Sequence, residues 1–370
     1  MAAQKAAYAG LMKLIRSNAT VNAVAQYVYL KAGLALKGRP ADKDGLLFGR
    51  QTANDMPKVA FLCDEMTWQD FKGCCSPIFL HPKVWREQLE SFRPEVFFCE
   101  SAWSGIEAYP AVWRGRIYQD KRISFENRDV LLEILAYCRK NGIPTVFWNK
   151  EDPTYFNHAV QDFTDTALMF DCIFTTAQEC VARYQERGHQ HVYLLPFGVN
   201  TDMFYPAPEK QRKNAAVFAG SWFGDHPKRC QELAALLDYT LDKGWDLVIY
   251  DRNSSAPEER FRFPEKYAPY IHPAVPFTKM PEVCREYEYA INVNTVVDSS
   301  TMISRRVLQL AASGATIISN ETLGFGALKD CLQLSEDNGV VIARAIPGNV
   351  EKHATRRRFQ YVLETVRGMK

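Results

Sequence analysis

The sequence predicts two α/β domains, each with a parallel sheet covered by helices on both faces, preceded by a helical extension. Three observations lead to this prediction. Short apolar runs alternate with segments of helical periodicity, as in sheets whose parallel strands are joined through helices. The alternation occurs twice, and a polar stretch at 200–214 that contains two prolines separates the two series. The chain also has 370 residues, more than one core usually organises.

The extension and a linker are expected at 1–50. Residues 6–35 carry apolar side chains at helical intervals. A helix packed on the body of the protein is the simpler interpretation, because the basic face of this segment is thin. The alternative is an amphipathic helix that contacts a membrane surface or a partner. A Gly-, Lys- and Asp-rich stretch at 36–57 reads as the linker.

The first domain is expected at 51–205 and shows five short apolar runs that predict strands, at 58–63, 95–99, 144–148, 172–175 and 192–195. Helical patterns lie between them, at 84–92, 129–140 and 178–187. Asn141-Gly142 and Gly188 provide the glycine that commonly ends a helix.

The second domain is expected at 206–350, with strands at 215–219, 246–250, 289–293 and 315–319 and helices at 228–243, 279–287 and 302–313. A terminal helix within 351–370 is expected to pack back on the first domain. The two series describe doubly wound, Rossmann-like sheets facing a cleft. Ligands of such sheets bind beyond the carboxyl ends of the strands, so the loops at those ends hold the candidate residues.

Composition excludes several classes of function. The chain has 45 basic and 43 acidic residues, a net charge of +2, so no nucleic-acid partner is expected. Its ten cysteines contain no C-x-x-C pair and no zinc spacing, which favours a reducing compartment. No run of 18 apolar residues and no leader peptide is evident. A cytoplasmic protein is expected, with attachment to the inner face of the membrane through 6–35 as the alternative.

The segment 291–320 gives the clearest indication of a binding site. A strand leads into a polar loop, 294–301, and a helix expected to begin near Met302. A helix N-terminus presents free N–H groups and partial positive charge, which suits a diphosphate. Arg305 and Arg306 could add bidentate contacts to phosphate oxygens. An ordinary helix cap by Ser300 or Thr301 is the alternative.

A second loop, 220–229, also joins a strand to a helix. Its glycines would let the backbone approach a ligand closely, and Lys228 or Arg229 could reach a phosphate. The alternative is a glycine turn beside an exposed basic pair. Neither G-x-x-x-x-G-K-[ST] nor G-x-G-x-x-G is present, so a P-loop and a dehydrogenase fingerprint are unsupported.

The order of segments 275–277, 289–294, 305–314 and 319–320 resembles the donor domain of GT-B glycosyltransferases, and most of all the CgeB-like (spore-maturation-protein-like) group. Segments 100–105 and 147–153 resemble the N-terminal half of that group. The resemblance covers about 58–345 and is sharpest in 215–320. It implies that a nucleotide-diphosphate sugar, bound by the C-terminal domain, donates its sugar to a glycan or other hydroxyl acceptor bound by the N-terminal domain.

The residues expected to contact the donor lie in strand-end loops of the second domain or at the start of its helices. They are Gly220, Ser221, Trp222, His226, Lys228, Arg229, Phe277, Thr295, Ser299, Ser300, Thr301, Arg305, Arg306 and Gln309. By the resemblance, the nucleobase of the donor lies near Phe277. Many retaining GT-B enzymes have two glutamates eight positions apart on this helix, and this chain has Thr301 and Gln309 there.

An inverting transfer needs a base near the acceptor hydroxyl. Of the strand-end acids in the first domain, Glu100 and Asp152 are the candidates for that catalytic role, and a loop carboxylate that caps a helix or pairs with a cation is the alternative for each. No D-x-D metal signature stands out, so neither a metal nor a cofactor is expected, the nucleotide sugar being a co-substrate. The competing functions are a sugar-nucleotide epimerase and a non-catalytic nucleotide- or glycan-binding homologue.

Overall fold

The computed structural model describes Ala25, Val28 and residues 38–49, 56–207 and 211–369. Their contacts divide the chain into two compact units. The first unit runs to Leu195 and takes in the chain end from Glu364, and the second covers Pro196–Leu363. The helical extension expected at 6–35 lies outside the described residues, apart from Ala25 and Val28.

The first unit contains a six-stranded parallel sheet in the order β2-β1-β3-β5-β7-β8 and a small antiparallel pair, β4-β6. Its strands are β1 (Lys58–Leu62), β2 (Ser76–Phe79), β3 (Val96–Glu100), β4 (Gln119–Asp120), β5 (Thr145–Asn149), β6 (Gln161–Asp162), β7 (Cys172–Thr175) and β8 (Val192–Leu194). Its helices are α1 (Glu65–Phe71), α2 (Trp85–Phe92), α3 (Asp129–Lys140), α4 (Phe163–Ala167) and α5 (Gln178–Glu186).

All five strands expected in the first domain are present, but the sequence interpretation missed α1, α4, β2 and the short pair β4-β6. The helix α1 buries polar side chains, Thr67, Gln69 and Asp70, so its inward face does not read as an apolar stripe. The strand β2 carries Pro77, a residue that argues against a strand in sequence reasoning. Proline is tolerated because β2 is the edge strand of the sheet.

The second unit contains a seven-stranded sheet in the order β11-β10-β9-β12-β13-β15-β14. Its strands are β9 (Lys213–Gly220), β10 (Asp246–Asp251), β11 (Ile271–His272), β12 (Tyr287–Asn292), β13 (Thr316–Ser319), β14 (Leu332–Asp337) and β15 (Val340–Ala345). Its helices are α6 (Pro227–Asp242), α7 (Met280–Glu286), α8 (Arg305–Ala312) and α9 (Thr355–Gly368), the last of which ends among residues grouped with the first unit.

This second sheet is not wholly parallel, which corrects the sequence-based expectation. The strands β9 to β13 pair in parallel, whereas β15 is antiparallel to both β13 and β14. Asn338 and Gly339 join β14 to β15 with φ angles of 51° and 77°. Such a tight turn can only join antiparallel strands, because a parallel pair needs a long crossover.

The segment that follows the first unit packs inside the second. Val199 pairs with Ala354 in a parallel bridge, and Val199 N–H donates to the His353 carbonyl at 3.0 Å. Val199 and Phe204 are fully or almost fully buried in the core that contains α7 and α8. The compact second unit therefore begins before residue 206, the start suggested by the polar stretch at 200–214.

None of the described helices has the length and apolarity to cross a membrane. The ten cysteines are all unpaired, and nine are buried as small core residues.

Candidate functional site

The strand-end loops of the second unit are built around Ser221, which follows β9 directly. Ser221 is 1% exposed. Its carbonyl accepts a hydrogen bond from Arg229 Nη1 at 3.0 Å, and its hydroxyl accepts one from Arg252 Nε at 3.1 Å. One buried serine at the carboxyl end of β9 thus holds a guanidinium from α6 and a second from the end of β10.

Three guanidiniums lie close together at this edge of the sheet, and we call Arg229, Arg252 and Arg306 the arginine cluster. Burial lowers the pKa of Arg229 and of Arg306, and the positive charge of Arg252 lowers both further. Arg229 and Arg306 have no carboxylate partner within the described part of the chain. Burial raises the pKa of the Asp251 carboxyl, and the charge of Arg252 acts on it in the opposite direction. The charges of Arg229 and Arg306, which have no such carboxylate among the described residues, favour an anion nearby.

Sequence reasoning missed Arg252, although the rule that found the other loops also applies to it. Arg252 follows the last residue of β10, and its backbone N–H donates to the Gly220 carbonyl at 2.8 Å. The parallel pairing of β9 and β10 ends at Gly220 and Asp251, so the two strand ends lie side by side. The position of Arg252 directly after a strand could therefore have identified it from the sequence as a candidate site residue.

The helix α8 begins at Arg305, three positions later than the expected start at Met302. Ser299 explains the difference, because its hydroxyl accepts from the Met302 N–H at 3.0 Å and closes a turn of its own. Ser304 is the N-cap residue, without a side-chain cap bond. Arg305 and Arg306 are thus the first two residues of α8. The Arg305 guanidinium lies over the Phe197 ring, 4.6 Å from its centroid.

Asn294 fixes the start of α8 to the sheet. Its Oδ1 accepts from the Ser304 N–H at 3.0 Å, and its Nδ2 donates to Ser319 Oγ at 3.1 Å. Its own N–H donates to Asn320 Oδ1 at 2.8 Å. Asn294, Ser319 and Asn320 are all buried at the ends of β12 and β13. This network fixes the position of the N-terminus of α8 relative to the strand ends. The sequence did not identify it as a separate feature.

Gln309 lies on α8 and is 3% exposed. Its Nε2 has no hydrogen-bond partner among the described residues. A buried donor without a partner costs roughly 1–3 kcal/mol, so such a group usually has a reason. An acceptor oxygen of a ligand, such as a ribose hydroxyl, would satisfy it.

The other residues expected at the donor do not join the arginine cluster or the Asn294 network. Residue 220 has no room for a side chain, because a Cβ there would lie 2.6 Å from the Phe218 ring. Trp222 is half-buried and packs against Phe263, with ring centroids 5.5 Å apart. Phe277 is half-buried against Phe204. The remaining six are exposed or half-buried except Ser299, namely His226, Lys228, Thr295, Ser299, Ser300 and Thr301.

In the first unit, Glu100 ends β3 and is fully buried. Its Oε1 accepts from the Asp64 N–H at 2.6 Å, and its Oε2 accepts from the Thr67 hydroxyl. Lys150 Nζ lies 3.6 Å from Glu100 Oε1 and 3.5 Å from Asp64 Oδ2. Both oxygens of Glu100 therefore serve the packing of strand-end loops, which is the alternative role that the sequence left open.

Asp152 is also fully buried. Its Oδ1 accepts from Asn149 Nδ2 at 2.8 Å and its Oδ2 from Thr175 Oγ1 at 2.7 Å, and the Tyr184 hydroxyl bonds it too. Burial raises the pKa of Asp152 to about 7, against the lowering effect of the bonds from Thr175 and Tyr184. Glu100 and Asp152 are both fully buried, and their assignment as the catalytic base stays a prediction. Their neighbours Asp64 and Glu151 retain side-chain exposures of 15% and 24%.

One group of three in the described part of the chain brings metal-ligand atoms within 4.8 Å, namely Asp330, Cys331 and His353. His353 Nε2 lies 3.0 Å from Asp330 Oδ1, and Arg358 Nη2 lies 3.1 Å from His353 Nδ1. A histidine that binds a metal usually donates its second ring N–H to an acceptor, and here that nitrogen faces a guanidinium donor. Burial also raises the pKa of Cys331 to about 12. The arrangement fits a hydrogen-bonded histidine better than a metal site.

No protein-family model matches the chain. Among solved structures, an α-glucosyltransferase in complex with UDP and a 13-mer DNA that contains an HMU base matches with 10% identity, a TM-score of 0.49, and coverage of 85% of this chain and 100% of that one. WaaG, a glycosyltransferase involved in lipopolysaccharide biosynthesis, matches with 11% identity, a TM-score of 0.44, and coverage of 84% and 94%. Sucrose-phosphate synthase from Thermosynechococcus elongatus matches with 12% identity, a TM-score of 0.41, and coverage of 84% and 90%. Matches at these identities and TM-scores carry no argument about activity.

A curated protein is similar in sequence. Spore protein CgeB of Bacillus subtilis (strain 168) is 22% identical, in a match that covers 60% of this chain and 78% of CgeB. By sequence, the chain is a distant homologue of spore protein CgeB.

Proposed function

We propose that the protein is a GT-B glycosyltransferase that transfers a sugar from a nucleoside-diphosphate donor to a hydroxyl acceptor. The observation that carries the proposal is the arginine cluster around Ser221, at the carboxyl ends of β9 and β10 and the start of α8. A diphosphate supplies negative charge for Arg229 and Arg306. The distant homology to CgeB agrees with the proposal.

In the proposed reaction, the acceptor oxygen forms a bond to the anomeric carbon while the bond from that carbon to the diphosphate oxygen breaks. The nucleoside diphosphate leaves with the electron pair of the broken bond, and the hydroxyl proton passes to a base or to the departing diphosphate. The arginine cluster and the first N–H groups of α8 stabilise the negative charge that develops on the leaving group. These groups take the role of a divalent cation, so we propose a metal-independent transfer.

Gln309 completes the donor site in this proposal. Its unsatisfied Nε2 donates to a ribose hydroxyl of the nucleotide, at the position where many retaining relatives carry a glutamate. A neutral amide binds a hydroxyl more weakly than a carboxylate does. We therefore expect an affinity that depends more on the diphosphate than on the ribose.

A second candidate function is nucleotide binding without transfer. The burial of Glu100 and Asp152, together with Thr301 and Gln309 where many relatives have glutamates, specifically favours it. The unpaired cysteines fit a reducing compartment, so we propose a cytoplasmic location for either function.

The first experiment is a thermal-shift panel with UDP, GDP, TDP, CMP and their sugars, with magnesium and with a chelator. A ligand at about 100 times its Kd stabilises a fold by about 2.7 kcal/mol. We expect one diphosphate to raise the melting temperature regardless of magnesium. Arg306→Ala should remove charge-assisted bonds of roughly 1.5–3 kcal/mol and abolish most of that shift.

Arg260→Ala is the matched control, because Arg260 is an exposed arginine paired with Asp225 outside the cluster. Its response to the diphosphate should equal that of the unmodified protein. A diphosphate response that survives Arg306→Ala would contradict the placement of the diphosphate. Donor binding without transfer to any acceptor in a broad panel would support the second candidate function.

A further inference from the structure

An aromatic corner lies at the carboxyl edge of the first sheet, formed by Trp103 after β3 and by Tyr155 and His158 after β5. The rings of Trp103 and Tyr155 are 5.1 Å apart at 72°, and those of Tyr155 and His158 are 4.8 Å apart. The fully buried Phe163 packs edge-on against Trp103, with ring centroids 5.0 Å apart. The three rings of the corner are half-buried, so each keeps some surface accessible.

Trp103 differs from the other tryptophans of the first unit. Those four, which are Trp68, Trp85, Trp113 and Trp148, are at most 6% exposed and belong to the core. The backbone N–H of Trp103 donates to Asp64 Oδ2 at 2.8 Å, and the next two N–H groups donate to Asp64 Oδ1. A carboxylate thus holds this loop in place, and the half-buried indole packs on Tyr118, Tyr155 and Phe163 with part of its surface accessible.

The loops around the corner are acidic. The segments 64–67, 100–107 and 150–157 contain six carboxylates and one basic residue, Lys150. Lys150 Nζ lies within 3.9 Å of three of those carboxylates, so its charge is compensated inside the protein. Beyond these loops, Lys121 and Arg122 are paired with Asp162 and Asp120. Two guanidiniums contact the segment 150–157 from α5 and its end, Arg183 over the Phe156 ring and Arg187 at Asn157 Oδ1.

This chemistry selects one class of ligand. Aromatic faces attract the C–H faces of a sugar ring, and the partly exposed carboxylate of Glu151 can accept hydrogen bonds from its hydroxyls. A ligand that carries phosphate or carboxylate groups would be repelled by the same acids. The donor-side loops of the second unit have the opposite character, with the arginine cluster suited to a diphosphate.

We propose that the first unit binds the acceptor as a neutral pyranose stacked on Trp103 and Tyr155, and that it discriminates against anionic acceptors. The inference rests on the proposed glycosyl transfer and names the acceptor class for it. Asp64 is a positioning residue here, because it fixes the loop of Trp103, and Glu151 contacts the sugar hydroxyls directly.

The test measures binding of oligosaccharides to the full chain by calorimetry, without donor. The neutral probes are maltopentaose, cellopentaose, chitopentaose and mannopentaose, and the anionic probe is pentagalacturonate. We expect at least one neutral probe to bind and pentagalacturonate not to bind. Trp103→Ala should weaken binding at least tenfold, and Trp103→Phe should restore most of it because an aromatic face remains.

Two further variants keep the test decisive if Trp103→Ala does not fold. Glu151→Gln should weaken binding of the neutral probe by removing a charged acceptor, and Trp245→Phe should leave it unchanged. Trp245 is the matched control because it stacks on Tyr289 in the second unit, with ring centroids 3.8 Å apart. Preference for pentagalacturonate would overturn the inference. So would neutral-probe binding that Glu151→Gln leaves unchanged and that Trp103→Ala, where it folds, also leaves unchanged.

The outcome also separates this inference from the proposed function. Diphosphate binding without binding of any neutral probe overturns the neutral acceptor and leaves the donor site standing. Neutral-probe binding at Trp103 without a response to any nucleotide supports the sugar site and overturns glycosyl transfer.

Discussion

At the scale of single residues, the most informative side chain is Gln309, whose Nε2 is buried without a partner in the described part of the chain. Gln309→Met keeps the length of the side chain and removes the unsatisfied donor. We expect the free protein to be as stable as before or up to roughly 1–3 kcal/mol more stable, because a buried orphan donor is lost. Nucleoside-diphosphate affinity should fall at the same time.

Urea unfolding and calorimetric titration with UDP and GDP check these two effects of Gln309→Met. Opposite signs for stability and affinity would identify a residue kept for a ligand. Equal affinity in the variant and the parent would show that the ribose lies elsewhere.

Asp152 gives a prediction about pH. Because burial raises its pKa to about 7 in the folded protein, the folded state holds this proton more tightly than the unfolded state between about pH 4 and pH 7. The contribution of Asp152 to stability is therefore fully present at low pH and is lost as pH rises through 7. Asp152→Asn remains neutral, so its stability relative to the parent should rise over this window and level off above it.

The measurement is the urea midpoint of both proteins at intervals from pH 4.5 to 8.5. Asparagine keeps one acceptor oxygen for Asn149 Nδ2, so the packing around residue 152 is largely preserved. A constant difference between the two proteins over the whole range would mean that Asp152 does not titrate there.

At the scale of elements, the sequence predicted most strands, because buried parallel strands are short apolar runs between helical segments. The helix α3 (Asp129–Lys140) has the bounds that its periodicity predicted. Polar residues that are buried, such as Gln69 and Asp70, concealed α1. The hairpin β14-β15 was missed because β14 is mostly exposed and shows no apolar run.

The candidate site was predictable in part for the same reason. Strand-end loops can be located from the strands, and this located Ser221 and Arg306. Pairing between side chains from different loops cannot be read from one sequence, so the bond from Arg252 to Ser221 and the burial of Glu100 were found only in the structure.

The connection between β12 and α8 provides the prediction at this scale. Asn294→Ala removes one hydrogen bond to the start of α8, at Ser304, and two to the end of β13, at Ser319 and Asn320. We expect a loss of roughly 1–3 kcal/mol in stability, because the Ser304 N–H and the Ser319 hydroxyl lose buried partners. Diphosphate affinity should also fall, since Arg306 is no longer held in place.

Thermal unfolding and titration with the diphosphate check the Asn294→Ala prediction. Asp298→Asn is the control, because Asp298 is an exposed residue of the same loop outside the expected donor contacts and its replacement should lower neither quantity. If Asn294→Ala loses stability and keeps full affinity, the network is structural and does not aim α8 at the ligand.

At the scale of the whole molecule, the two compact units predict a localised response to the donor. Saturating nucleoside diphosphate should slow amide hydrogen exchange within Pro196–Leu363, above all at the ends of β9 and β10 and the start of α8. Exchange in the loops after β3 and β5 should be unaffected by the diphosphate alone. Hydrogen exchange with mass spectrometry resolves these segments, and protection centred on the loops after β3 and β5 would contradict the assignment of the donor to the second unit.

The near-zero net charge conceals a division of sign between the strand-end loops of the two units. An arriving anion is attracted by the guanidiniums of one unit and repelled by the carboxylates of the other before any contact forms. Screening shortens the reach of these fields to about 8 Å at physiological ionic strength. The association rate of the donor should therefore fall steeply as salt is added, while a neutral glycan should arrive at a rate that salt does not change.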